Sequence, residues 1–438
     1  MSDLSDNTPR CPFTLDRRRF LQGLGAAGAA AGLGGSAWAE SRTDAASSHD
    51  VTGAPVSTTT QQSHPFHGRH QQGILTPRPA TGMVVVCDVL ARDRAGLERL
   101  LRILTERIAF LTQGGTYPKR DPSYPPADSG ILGPTIAPDA LTVTVSLGAS
   151  VFDERFGLAD AKPKHLQRMT GFPNDALEPT RCHGDLSLQI CANTHDTTIH
   201  ALRDIIKQTP GLLMVRWKQE GTVPVMPPSP DTPTPSARNY LGFRDGTANP
   251  NTDDDALMDS LIWTGDDPDE PDWTHGGSYQ VVRIIRNFVE RWDRAQLAEQ
   301  EAIFGRRKES GAPLSGGSEY DKPNYNDDAD GKITPLDAHI RLANPRTPGF
   351  EKHRILRRPF NYSNGVEANG QLDMGLLFIV YQADLEAGFI TVQNRLNGEP
   401  LEEYIKPVGG GYFFTLPGAI DEHDFLGRTL LEATETDV

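Results

Sequence analysis

Apolar residues in this chain switch between two periods, and the order of the switches leaves few folds open. Met83-Val84-Val85-Val86-Cys87-Asp88-Val89 has the β-branched content of a strand. Leu97, Leu100, Leu101, Leu104 and Ile108 then recur at helical spacing across 95–111. Residues 141–147 and 185–191 alternate as strands do, and 197–208 forms an amphipathic helix carrying Ile199, Leu202, Ile205 and Ile206. Residues 212–217 return to strand. Strand, helix, strand, strand, helix, strand is the ferredoxin-like order. The second half repeats the theme, with strands expected at 279–285, 376–382 and 411–416 and helices at 288–301 and 389–396. The expected fold is α+β: two tandem ferredoxin-like domains, resembling a dimeric α+β barrel, with antiparallel sheets and flanking helices.

The ends and the joint of this pattern are equally readable. Asp16-Arg17-Arg18-Arg19-Phe20-Leu21-Gln22 reads as a twin-arginine export signal, and Ala37-Trp38-Ala39 as its cleavage site. The Gly/Ala-rich run between them is too weakly apolar for a spanning helix, which needs roughly 20 strongly apolar residues. No stable membrane anchor is expected. Export of a protein already folded is commonly associated with a cofactor loaded inside the cell. The expected division is a signal peptide over 1–39, a flexible arm over 40–72, an N-terminal domain over 73–235 and a C-terminal domain over 236–438. The arm holds His64, His67 and His70, which could bind a metal weakly but read more simply as polar linker. A proline-rich stretch, 222–236, joins the domains, and acidic 321–332 reads as an exposed loop. With 43 Lys+Arg against 58 Asp+Glu the net charge is −15, which argues against nucleic acid as a partner. Of four cysteines, Cys11 falls in the leader. Cys182 and Cys191 could pair, or could stay buried thiols with Cys87.

Three local patterns carry chemistry. Gly242-Phe243-Arg244-Asp245-Gly246-Thr247-Ala248-Asn249-Pro250 packs glycines, an acid and a proline into one turn-forming stretch. His339-Ile340-Arg341-Leu342-Ala343-Asn344-Pro345-Arg346 contains a histidine that alone reads as structural. Ile355-Leu356-Arg357-Arg358-Pro359 reads alone as a basic patch.

Taken together and in this order, the three resemble the dye-decolorizing peroxidase family, closest to its exported deferrochelatase/peroxidase (EfeB-type) branch. Gly276-Gly277-Ser278-Tyr279, Glu290-Arg291-Trp292-Asp293-Arg294, Gly311-Ala312-Pro313-Leu314 and 403–412 add to the likeness, which runs from about Gly73 to near the C-terminus. The resemblance implies one non-covalent haem b per chain, held in the C-terminal half. His339 matches the ligand of the iron, Asp245 the acid/base on the peroxide side, and Arg357 its arginine, with Arg358 a neighbour easily confused with it. Gly246, Thr247, Ala248, Asn344, Pro345 and Arg346 fall where the family's loops contact haem. Glu399 is the candidate carboxylate for polarising His339, with Glu402 and Asp384 as alternatives. No C-x-x-C-H stretch is present, which excludes covalent attachment of the c type.

On this reading Asp245 takes a proton from hydrogen peroxide and returns it to the outer oxygen, while Arg357 stabilises the charge developing there. A carboxylate is a weak base at neutral pH, so activity should favour acid. The expected enzyme is a haem peroxidase that oxidises dyes, phenols or other one-electron donors. Bulky dyes would be oxidised at the surface through aromatic relays, with Trp263, Trp273, Trp292 and Tyr325 as candidates. The alternative is a periplasmic haem- or iron-handling protein, a deferrochelatase that releases iron from haem in an iron-uptake system. Other components of that system, and further copies of this chain in a homo-oligomer, are the expected partners.

Overall fold

The structure is a computed structural model that describes residues 58–224, 235–265, 267 and 269–434. The export signal and Cys11 lie outside the described residues, as does most of the proline-rich joint. Nine strands form one antiparallel sheet: β1 Thr81–Val89, β2 Thr142–Gly148, β3 Leu186–Ala192, β4 Leu213–Thr222, β5 Ser278–Asn287, β6 Leu356–Arg357, β7 Phe360–Val366, β8 Leu372–Gln382 and β9 Ile405–Thr415. The first half runs β2-β3-β1-β4 and the second β9-β5-β8-β7, each the ferredoxin-like order. The two runs join twice. Phe413–Thr415 of β9 pairs with Ser146–Gly148 of β2, and Thr222 of β4 pairs with Asn361 of β7. Because β5 also pairs with β8, the sheet closes on itself and leaves a ring rather than two open sheets.

Period-2 alternation then sorts side chains between the two faces of the ring. Val84 and Val86 of β1 share an apolar core with Val282 and Ile284 of β5, Ile379 and Tyr381 of β8 and Phe413 of β9. That core, drawn from both halves, is the inside of the ring. The opposite face of the first half, with Met83, Val85, Leu188 and Val145, packs on α1 Arg94–Gln113 and α2 His195–Gln208. Asp93 caps α1 by accepting from the Gly96 amide, and Gly114 ends it at φ 74°. In the second half the opposite face carries Arg283, Ile285 and Asn287 of β5 and Leu376 and Phe378 of β8, and these line a cavity.

Several expectations change. The single helix over 288–301 is two pieces, Val289–Trp292 and α4 Leu297–Phe304, with α3 Asp255–Leu261 ahead of them. The strand pair β6 and β7 was not expected at all, because Pro359 breaks what is otherwise one edge along β8. The arm expected to be flexible is, over 60–72, laid against the ring. The Gln71 amide donates to the carbonyls of Val145 and Leu416, and His70 stacks on Trp263 at 3.8 Å. The 321–332 loop is mainly exposed, yet Tyr325 and Asp328 are buried in it. Cys87, Cys182 and Cys191 are buried free thiols.

Candidate active site

The cavity on the outer face of β5 and β8 holds about 1700 Å³ of space between atoms, its open mouth included. Small-molecule sites typically offer roughly 300–1,000 Å³. Its roof is built from segments with little regular structure, which is why most of its residues escape a reading by periodicity. One is α5 His339–Ala343, a helix of five residues. Another is the short helix α6 Thr391–Leu396 with the turn after it, where Gly398 at φ 83° swings the chain so that Glu399 points back.

His339 opens α5 and lines the cavity. Its Nδ1–H donates to Glu399 Oε2 at 2.7 Å, and Glu399 is buried. Burial disfavours a charged imidazole, yet the Glu399 carboxylate outweighs it and holds the His339 pKa above its ordinary value. In the neutral ring the bond also settles the tautomer: the proton sits on Nδ1, which leaves the Nε2 lone pair for a metal. Glu402 lines the same cavity but accepts from the Gly398 amide, and Asp384 caps the turn at Glu386 and Ala387 instead.

Asp245 and Arg357 meet on the cavity wall, where Arg357 Nη1 donates to Asp245 Oδ1 at 2.9 Å. They come from a loop and from β6, and Asn249 clasps the two. Its amide group donates to the Arg357 carbonyl at 2.8 Å and accepts from the Arg357 amide at 3.1 Å. Arg358 takes no part: it is buried away from the cavity and donates to the Thr76 carbonyl. Thr247, Ala248, Asn344 and Arg346 line the cavity; Gly246 and Pro345 do not. Gly246, at φ 117°, lets the loop turn. Arg346 sits at φ 58°, a left-handed conformation that costs a non-glycine residue about 1–2 kcal/mol and tends to occur at ligand sites.

Does this cavity suit haem, a flat apolar ring with two carboxylates and an iron? Its floor is apolar, with Ile285, Leu376 and Phe378 beside Phe389 and Phe304. At one region it offers donors without partners. Arg346 Nε and the Tyr325 hydroxyl are buried and unbonded. Burial pushes the Tyr325 pKa up to about 12, so the hydroxyl keeps its proton. Arg306 donates only to the carbonyls of Gly311 and Glu319, and burial together with Arg357 depresses its pKa. Cations lining a cavity without a carboxylate call for an anion. The residues fit the group: imidazole for iron, an apolar face for the ring, Arg306, Arg346 and Tyr325 for acidic arms.

Arg306 and Tyr325 are the site residues that motif reading missed. Arg306 follows Gly305 in an ordinary surface-like sequence, and Tyr325 drew notice only as an aromatic. The signal for both is spatial.

Comparison with known proteins agrees with this geometry. The family model described as Dyp-type peroxidase, N-terminal, matches residues 71–222, and its C-terminal counterpart matches 236–420. A protein of Escherichia coli (strain UTI89) named deferrochelatase is 57% identical over 419 residues, covering 95% of this chain and 96% of its own. A deferrochelatase of Yersinia pestis is 55% identical over 420 residues, 95% of each. Among solved structures, the DyP-type peroxidase from Cellulomonas bogoriensis has a TM-score of 0.75 at 37% identity, covering 85% of this chain and 99% of that one. Ferric DtpA from Streptomyces lividans has a TM-score of 0.76 at 35% identity, covering 87% and 100%. With both halves matched and relatives this near along almost its whole length, the chain belongs to the Dyp-type peroxidase family.

Proposed function

We propose that the protein is a haem b peroxidase in which His339 holds the iron, Asp245 moves the proton and Arg357 carries the charge. The observation that supports this most is the joint geometry: His339 on Glu399, and Asp245 on Arg357, lining one cavity with unpaired cations at its edge. Bound haem supplies the site at which hydrogen peroxide accepts two electrons and two protons and leaves as two waters. Organic donors return the electrons one at a time. Asp245 accepts the peroxide proton and delivers it to the departing oxygen. Arg357 donates to that oxygen and orients the carboxylate. Glu399 holds the imidazole in one tautomer.

Asp245→Asn should keep haem and slow the reaction with peroxide by about 10²–10⁴-fold. Stopped-flow rates equal to wild type would remove Asp245 from proton transfer.

For large donors we assign a surface route. Of the four aromatic candidates, Tyr325 lines the cavity itself, and Trp292 is joined to it through Phe304. Phe304 lies 5.9 Å from the His339 ring and 5.8 Å from Trp292, and Trp292 lies 4.9 Å from Tyr404. The Tyr404 hydroxyl donates to exposed Glu299. Trp263 stacks on His70, and Trp273 is bonded to the Ala161 carbonyl.

A second reading is favoured by the relatives named deferrochelatase. In it haem is a substrate as well: iron leaves and two protons take its place on an intact ring. Incubation with haem and a search for free porphyrin tests it. Export through the twin-arginine pathway to the periplasm, and partners from an iron-uptake system, belong with this reading. Assembly into a homo-oligomer is proposed with it.

A further inference from the structure

We propose that Glu319 is a positioning residue for Asp245: one buried carboxylate that ties both ends of the loop carrying the catalytic acid. This rests on the peroxidase reading above.

Glu319 lies in a Gly/Ser-rich turn that carries no sequence signal, 72 positions from Thr247, and it is buried. Its Oε1 accepts twice, from the Ser236 amide at 3.0 Å and from the Thr247 hydroxyl at 2.9 Å. Its Oε2 lies 3.6 Å from Arg244 Nε. Those three residues bracket Asp245. The Asp245 amide donates to the Ala237 carbonyl at 2.9 Å, one residue from Ser236, and Arg244 Nη1 donates to the Ser236 carbonyl at 2.8 Å. The two sides of the loop are thus drawn to one oxygen, with Asp245 between them. The Glu319 carbonyl also accepts from Arg306 Nη1 at 2.9 Å, which links the acid loop to a cation of the cavity.

Such a clamp has a chemical purpose. A proton shuttle works only at hydrogen-bond reach, and a loop rich in glycine does not hold a side chain there by itself. Gly242 and Gly246, at φ 87° and 117°, give the loop its turn. Glu319 does not touch the reacting atoms, so it acts through Asp245.

The test uses haem-loaded wild type, Glu319→Ala and Glu319→Gln, read by two methods: the stopped-flow rate with hydrogen peroxide, and hydrogen exchange at amides 242–249. Glu319→Ala should keep haem and the KM for the organic donor. Its peroxide rate should fall, and its exchange should rise, each by about ten- to a hundredfold, the worth of hydrogen bonds to a charged group. Glu319→Gln, whose amide oxygen can still accept both bonds, should recover most of each loss. Unchanged rate and exchange in Glu319→Ala overturn the proposal. So does a Gln variant as impaired as the Ala variant, since charge rather than the two bonds would then be at work. If Glu319→Ala does not fold, Thr247→Val removes one bond and is read the same way: faster exchange is expected, and unchanged exchange overturns. A wild type inert to peroxide sinks the peroxidase reading, while the exchange data still decide the clamp.

Discussion

Glu399 reaches His339 across 60 positions of chain, and that bond is what suits a lone histidine to hold a metal. His339 and Asp245 stand in short stretches whose order along the chain is distinctive, so both are legible in the sequence alone. Glu399 is legible there only as one of three acids. What separates it from Glu402 and Asp384 is the Gly398 turn, a conformational fact that composition does not carry. Arg357 and Arg358 differ in the same way. Arg357 ends β6 facing the cavity, and the next residue along the extended chain points the other way. The bond to Glu399 should matter by more than packing. Glu399→Ala should weaken haem affinity by about 10–100-fold, measured by transfer of haem to an apo-globin acceptor, and unchanged transfer would refute the role.

At the scale of elements, strong periodicity is a faithful guide and broken periodicity is not. The strands of the first half and the helix on Leu97 to Ile108 lie within a few residues of their expected ends. β6 and β7 escape the pattern because Arg358-Pro359 interrupts the alternation, and half of β7 is exposed. The helix expected over 288–301 is too long because Ala295 and Leu297 continue an apolar count that the chain does not follow; the helix stops after Trp292 and restarts. That restart has a consequence. It sets Trp292 between Phe304 and Tyr404, in contact with both. Trp292→Phe should lower turnover of bulky dyes while leaving the peroxide step at its wild-type rate. Equal dye turnover would dispose of this route.

The whole molecule takes the barrel-like form expected of two tandem ferredoxin-like halves, which share a closed sheet and one interior core. Edge pairing between distant strands leaves no trace in local pattern, so the repeat of the ferredoxin-like order discloses the barrel-like form but not which strands close it. Histidines whose pKa values the fold lowers give this body a pH limit. Burial lowers the pKa values of His64, His70 and His200, and burial with Arg168 and Arg216 lowers His183 to about 4. Unfolded histidines titrate near 6.5. Below that pH the unfolded chain binds protons that the fold refuses, so stability present above pH 6.5 is lost progressively toward pH 4. The melting temperature should therefore fall between pH 7 and 5. His183→Asn, which tolerates the φ of 56° there, should shrink the fall. A melting temperature flat across this window would contradict the assignment.

The roles proposed for Asp245, Arg357 and Glu399 all depend on iron held by His339. Hemin titrated into the apo-protein, followed by its visible absorption, tests that most directly. Wild type should saturate at one hemin per chain with a defined Soret band, and His339→Ala should lose that band or its affinity. A wild type that takes up no hemin, or a His339→Ala protein with the wild-type spectrum and stoichiometry, would contradict it.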